Sequence, residues 1–409
     1  MGSTAHPIEG GYRLARPARK KHLTDPQATQ LLLRLLEIPG GSGDETRVAE
    51  FLRKSLTAAG APAKSIRTDQ AHRRSPLGGE VGNLVLRLPG TMRAPRRMLS
   101  AHMDTVPICV GTRPVQRGRR IVAAQRTHAL GGDDRAGVAV LLTTALAILK
   151  HRLPHPPLTF LWTVQEEAGL HGARHASLSH LGKPRLAFNY DGGSASRLTL
   201  GATGGYRMAI EVLGRASHAG AHPEQGVSAI AIAALATADL VEQGWHGLVE
   251  KRGKVGTSNI GAIEGGAATN VVCDRVTLRA EARSHDRAFR ERIVREIRKA
   301  FANAAKQVRS SSGERGKVNI EGRLDYEAFC LPKDNPSVVA AAAAIAAEGR
   351  EVDYTIANGG LDANWLTARG IPTVSLGCGQ NNIHTVDEWL DLVEFHRARR
   401  IALRLATGE

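Results

Sequence analysis

Leu31, Leu32, Leu35 and Leu36 recur at helical spacing and predict a first helix, followed by a loop over 39–44 and a second helix over 45–59. Short β-rich runs then alternate with helical ones. Strands are expected over 83–88 and 98–101, a helix over 135–150, and strands over 158–164 and 185–190. Alternation of this kind predicts an α/β layer with a largely parallel sheet. From Gly205 the rhythm changes: strands are expected over 206–213, 258–263, 271–283 and 317–328, with helices over 226–243 and 287–308. Four strands and two helices suit a small open-faced α+β sandwich. A helix over 337–347, a strand over 373–376 and a closing helix over 391–405 return to the first pattern. The expected organisation is a flexible basic arm (1–22), an α/β domain (23–204 and 331–409) and an inserted lid or dimerisation domain (205–330).

A composition of 42% hydrophobic and 23% charged residues fits a globular chain and excludes collagen-like, disordered and disulfide-scaffold classes. The longest apolar stretch, 136–149, is too short to span a bilayer, so no membrane role is expected. No charged-then-apolar leader opens the sequence, which argues against a standard export signal. Lys and Arg exceed Asp and Glu by 55 to 39, for a net charge of +16. That excess is spread along the chain and lacks the interleaved aromatics that stack nucleic-acid bases, so no nucleic-acid partner is expected. A basic surface that attracts anionic substrates is the simpler reading. Cys109, Cys273, Cys330 and Cys378 stand far apart with no CxxC, which supports neither a disulfide framework nor a thiolate zinc site. A reducing cytoplasm is the expected location.

The chemistry is carried by the acids and histidines at the ends of the apolar runs. One predicted strand runs into His102 and Asp104, a second ends at Glu166-Glu167, a third at Asp191, and the last leads through a Gly/Asn loop to His384. Asp133 lies immediately before a predicted helix. In open α/β sheets the carboxyl ends of strands face one crevice, where ligands bind. A histidine, a Glu-Glu pair or an Asp-Gly-Gly alone is ordinarily a surface or turn feature. Their coincidence at one end of four strands points instead to a metal site. Imidazole and carboxylate without sulfur suit zinc or a similar divalent ion. Five such ligands suit two ions if one carboxylate bridges them. HExxH, GxSxG and Walker patterns are all missing, which trims competing enzyme classes.

Ser100-Ala101-His102-Met103-Asp104-Thr105-Val106, Gly132-Asp133-Asp134-Arg135-Ala136-Gly137, Glu166-Glu167-Ala168-Gly169, Asp191-Gly192-Gly193 and Asn382-Ile383-His384-Thr385 together resemble the M20 metallopeptidases, in the peptidase T-like (tripeptide aminopeptidase-like) branch. Gly214-Arg215-Ala216-Ser217-His218-Ala219-Gly220, Thr269-Asn270-Val271-Val272 and Asn358-Gly359-Gly360-Leu361-Asp362-Ala363-Asn364 fit the same branch. The resemblance runs in order from about Leu31 to the last helix. It implies a zinc-exopeptidase-type catalytic domain with a mostly parallel central sheet, interrupted by a ferredoxin-like lid.

Residue by residue, the resemblance implies two zinc ions, with cobalt or manganese as substitutes. His102 and Asp191 would hold one, Glu167 and His384 the other, and Asp133 would bridge them. Glu166 would be the general base acting on a metal-bridging water, and Asp104 would orient the His102 imidazole. His218, on the lid, would stabilise the oxyanion from the same subunit or across a dimer. Asn270 and Arg283 match substrate-contacting positions, Arg283 being suited to grip a carboxylate. Gly359 and Gly360 would let backbone approach the substrate closely. Arg135 stands where many relatives carry lysine. The activity implied is that of an aminopeptidase acting on di- and tripeptides. An M20-type carboxypeptidase or N-acyl-amino-acid amidohydrolase is the alternative, and outside the enzymes a non-catalytic metal or peptide binder. Aspartate at 191, where several carboxypeptidase and acylase branches carry glutamate, leans toward the peptidase T-like side.

Overall fold

The computed structural model describes residues 23–408; the basic arm expected over 1–22 lies outside them. The first helix, Asp25–Leu36, is started by Thr24, which exchanges side-chain and backbone hydrogen bonds with Gln27 in a capping box. Its leucine stripe buries Leu32, Leu35 and Leu36. Helix Gly132–His151 is apolar on nearly every side and correspondingly buried from Gly132 to Ile148.

Helix Gly132–His151 packs on a nine-stranded sheet, and the first helix packs against it. Four strands at its centre, in the order Leu158–Thr163, Arg97–His102, Leu186–Tyr190 and Thr373–Leu376, are mutually parallel. His102 stands level with Thr163, and Tyr190 with Leu376, so all four carboxyl ends open on one edge. The flanks are antiparallel: Leu84–Leu88 pairs with Leu158–Thr163, and Arg197–Ala202 with Thr373–Leu376. The sheet is therefore mixed: parallel at its centre, antiparallel on either side of it, with Asp353–Ala357 added parallel to Arg197–Ala202. The reason is connection length: 89–96 is too short for a crossover, which takes a dozen or more residues, so the chain reverses.

A second sheet is wholly antiparallel, in the order Gly247–Lys251, Lys254–Gly265, Arg275–Ser284, Gly204–Leu213, Lys317–Tyr326. Along its strands alternate residues such as Met208, Ile210 and Val212 turn inward. They pack with Ile232, Ala236, Ile293, Ile297 and Phe301 of helices Ala229–Glu242 and Arg287–Gln307 in a core of their own. Four strands were expected and five are present. Gly247–Lys251 joins its neighbour through Arg252 and Gly253, both at positive φ (53° and 73°), a two-residue hairpin without the usual Asn-Gly signal. The expected strand over 271–283 begins only at Arg275, because 271–274 runs in a loop.

A small third sheet, also unread from sequence, places Gln380–Asn381 against Trp389–Asp391 and the latter against Arg120–Ala123. Its hairpin carries the loop that presents His384.

Candidate metal centre

His102 is the last residue of a strand buried from Met98 onward, and the other residues of the site gather around it. Its Nε2 lies 3.1 Å from Asp133 Oδ1, while Asp133 Oδ2 lies 3.1 Å from Nε2 of His384. The same His384 nitrogen is 2.9 Å from Glu167 Oε1. Two ligand sets result, His102–Asp133–Asp191 and Asp133–Glu167–His384, and within each the donor atoms lie within 4.8 Å of one another. Asp133 is common to both.

Asp104 sits beneath this pair. Its Oδ1 is 3.3 Å from His102 Nδ1 and accepts the Glu166 amide (3.0 Å), while Oδ2 accepts the Glu167 amide (3.2 Å) and the Ser42 hydroxyl (2.6 Å). One buried carboxylate thus orients both an imidazole and the Glu166-Glu167 turn. Glu388 plays a similar part opposite, accepting the amides of Gly131 (2.8 Å) and Asp133 (3.1 Å). Asp134 accepts the His102 amide (3.0 Å) and the Gln380 side chain (2.9 Å). Buried Arg135 reaches back to the Gly40 carbonyl at 3.1 Å. Gln165, Asn382 and His384 all have positive φ (54°, 51° and 63°), an uncommon state for residues with side chains that the surrounding contacts sustain.

The electrostatics are those of crowded acids around imidazoles. Burial opposes charge on His102, but Glu166, Asp104, Asp133 and Asp134 hold its protonated form well above the usual histidine range. His384 is raised to about 10 by its bonds to Asp133 and Glu167. Burial opposes ionisation of Asp133 too, yet bonds to the two histidines pull it below the ordinary aspartate range. Asp191 is pushed up to about 8, first by burial and then by Asp133, and Glu166 is raised by burial and by Asp191, Asp362 and Glu167. Protons held by such a crowd are what divalent cations displace. A sulfur-free donor set of two imidazoles and three carboxylates, already converged, fits that group.

The residues expected on the inserted unit lie elsewhere. His218 is exposed, pairs with Val271 in an isolated bridge, and accepts the amides of Gly220 (3.2 Å) and Ala221 (3.0 Å) on Nδ1. Asn270 is exposed beside it, its carbonyl accepting the Ala219 amide at 2.9 Å. The structure therefore groups His218 with Asn270, and among the described residues no hydrogen bond or ion pair joins either to the metal cluster. Arg283 spends its fork on Glu281, with two bonds of 2.9 Å. Gly359 stands in open space, but a Cβ on Gly360 would meet the Tyr326 ring at 2.7 Å, so its close neighbour is the second sheet.

Sequence reasoning missed Ser42, Glu45, Asn83, Asp134, Asp362 and Glu388. Asp362 is buried, bonded to Thr163 at the end of a central strand, and raised to about 6, chiefly by burial. Its place beside the quoted glycines, and that of Glu388 four residues after His384, were the available signals.

Against known proteins, the model of peptidase family M20/M25/M40 matches residues 98–408. The chain is 30% identical to the uncharacterized protein YqjE of Bacillus subtilis, over 91% of this chain and 95% of that one. Its structure superposes on a tripeptidase from Staphylococcus aureus with a TM-score of 0.84 at 28% identity, covering 95% of this chain and 99% of the other. An aminopeptidase PepT from Bacillus cereus gives a TM-score of 0.82 at 29% identity, covering 94% and 98%. A family match over most of the chain, joined to this agreement in fold, makes the protein a member of peptidase family M20/M25/M40 and a hydrolase of peptide bonds.

Proposed function

We propose that this chain is a di-zinc aminopeptidase that releases the N-terminal residue of di- and tripeptides. The observation that carries the reading is the sharing of Asp133 between two converged ligand sets. His102 and Asp191 would hold one ion, Glu167 and His384 the other, with Asp133 between them. When bound, the two cations polarise the scissile carbonyl and make water acidic enough to attack it. Glu166, in the same turn as Glu167, takes the proton of the attacking water and delivers it to the nitrogen as the C–N bond breaks. Its burial supports that role, since a raised carboxyl holds a proton between the two steps. Asp104 keeps the His102 imidazole turned toward the cluster.

His218 suits the oxyanion. With Nδ1 accepting two amides, its proton lies on Nε2, ready to donate. Since it lies apart from the cluster, the inserted unit must act as a lid, or a second copy must bring its own His218. Exposed Ile230, Leu235 and Val241 on helix Ala229–Glu242, with Leu248 on the edge strand, support pairing of two copies through this unit. Asn270, Arg283, Gly359 and Gly360 would line the substrate path. Four free cysteines are consistent with a cytoplasmic enzyme.

Hydrolysis of unblocked tripeptides, compared with N-acetylated and C-amidated versions, tests the reading. Free-amine and C-amidated peptides should be cleaved. Turnover of blocked-amine compounds alone would assign the chain to acylases or carboxypeptidases, and inert metal-replete protein would leave a binder. Elemental analysis of the purified protein distinguishes zinc from cobalt or manganese.

A further inference from the structure

Four successive backbone amides, 164 to 167, donate to side chains. The Val164 amide goes to Asn83 Oδ1 (3.1 Å), Gln165 to Glu45 Oε1 (2.9 Å), and Glu166 and Glu167 to the two oxygens of Asp104 (3.0 and 3.2 Å). Asp104 has an evident task beside His102, and Asn83 is itself held by Asp69 (2.9 Å) and the Gly172 carbonyl (2.9 Å). Glu45 is the one whose presence needs explaining. It stands at the N-cap of helix Thr46–Ala58, yet its carboxylate makes no bond to that helix. It is turned inward and wholly buried, with Oε1 shared between the Gly43 amide (3.0 Å) and Gln165, and with Oε2 lacking any partner. Burying a carboxylate in this way is unfavourable, so helix capping cannot account for it.

The residue that Glu45 holds is the strained one. Gln165 has φ of 54°, a conformation maintained only where the surroundings over-determine it. Immediately after it the chain presents Glu166. The loop supplying Glu45 also supplies Ser42 to Asp104, so one segment braces the Glu166 turn from both sides.

We propose that Glu45 is a positioning residue for peptide hydrolysis: by accepting the Gln165 amide it fixes the left-handed turn from which Glu166 reaches the reacting atoms. The inference rests on the reading of Glu166 as the proton carrier. A displacement of about 1 Å at a reacting group costs roughly a hundredfold in rate, and that is the effect expected on losing this brace.

The test uses the full-length, metal-loaded protein on an unblocked tripeptide, measuring kcat, KM, bound metal and thermal melting. Glu45→Ala should lower kcat about a hundredfold with KM within roughly threefold and metal content unchanged. Glu45→Gln keeps an acceptor oxygen and should recover to within about fivefold of the parent, while the shorter Glu45→Asp should be slow. In a Glu166→Gln background, adding Glu45→Ala should cost almost nothing, because the residue acts only through Glu166. A parental kcat in Glu45→Ala, a Gln variant as slow as the Ala one, or a loss matching lost metal overturns the inference. Should Glu45→Ala fail to fold, the Asp and Gln variants decide: equal rates in both reject it. Glu166→Gln alone separates the two levels. If it turns over at the parental rate, the proton-carrier reading falls; if it is slow while Glu45→Ala is fast, only the role of Glu45 falls.

Discussion

In the nine-stranded sheet, His102 ends a central strand 3.1 Å from Asp133, and His384 closes on Asp133 and Glu167 at 3.1 and 2.9 Å. In the five-stranded sheet, His218 and Asn270 ride on exposed loops, and Arg283 lies on the strand face with its fork already on Glu281. In one region the predicted residues have converged; in the other they stand apart from the cluster. The contrast stems from what each must do. Cations demand donors held within a fraction of an ångström, which strand ends and buried anchors provide. The peptide-facing roles proposed for His218 and Asn270 would require their unit to approach the cluster.

The largest effect should come from the shared ligand. Asp133→Ala removes an oxygen from both sets, and should abolish peptide hydrolysis together with metal retention by elemental analysis. Retention of two ions with useful turnover would break the comparison, since the cluster would then not depend on its common member. Glu166→Gln comes next: metal should stay while kcat falls roughly 10²- to 10⁴-fold. A variant that loses its metal would mean that Glu166 belongs among the ligands.

His218→Ala tests the other side of the contrast. If the inserted unit contributes only during turnover, kcat should drop about 10²- to 10³-fold, the cost of a lost oxyanion donor, with metal affinity unmoved. An unaltered rate would reject that role. Glu388→Ala sharpens the picture from the cluster's side. It takes the acceptor from the Gly131 and Asp133 amides, and should weaken metal affinity about 10- to 100-fold without altering which peptides are cleaved. Titration with a competing chelator measures it.

Legibility from sequence divides along the same line. His102, Glu166, Glu167, Asp191 and His384 were legible because apolar runs end in acids or histidines, and parallel central strands send those ends to one edge. Ser42, Glu45, Asn83 and Glu388 were not, because each serves a partner distant in sequence, most often a backbone amide, and an amide leaves no mark on residue type. The antiparallel flanks and the Gly247–Lys251 strand escaped for a local reason: short connections and an Arg-Gly hairpin carry weak signals. His218 was legible only as a motif, and among the described residues no hydrogen bond or ion pair joins it to the cluster.

The smallest expected effect concerns a histidine away from the cluster, and it gains from comparison with His102. Both rings are largely buried, but their surroundings have opposite sign. His102 is buried too, but the carboxylates around it raise it well above the usual histidine range. His396 accepts from Arg399 at 3.0 Å and lies 3.2 Å from the Thr29 hydroxyl; burial first, then Arg399 and Arg400, push it down to about 4 against the pull of Asp25. The unfolded chain, with an ordinary histidine near 6.5, therefore binds the extra proton between about pH 6.5 and 4, and stability declines as pH falls through that window. Below about pH 4 both states are protonated and this contribution changes no further. Denaturant melts of parent and His396→Gln, taken at about pH 7 and about pH 4.5, should show a smaller acid loss in the variant, with hydrolysis at neutral pH unchanged. Equal losses would mean that Asp25, at 3.5 Å from the ring, offsets burial and the arginines, and that the two histidines do not differ in kind.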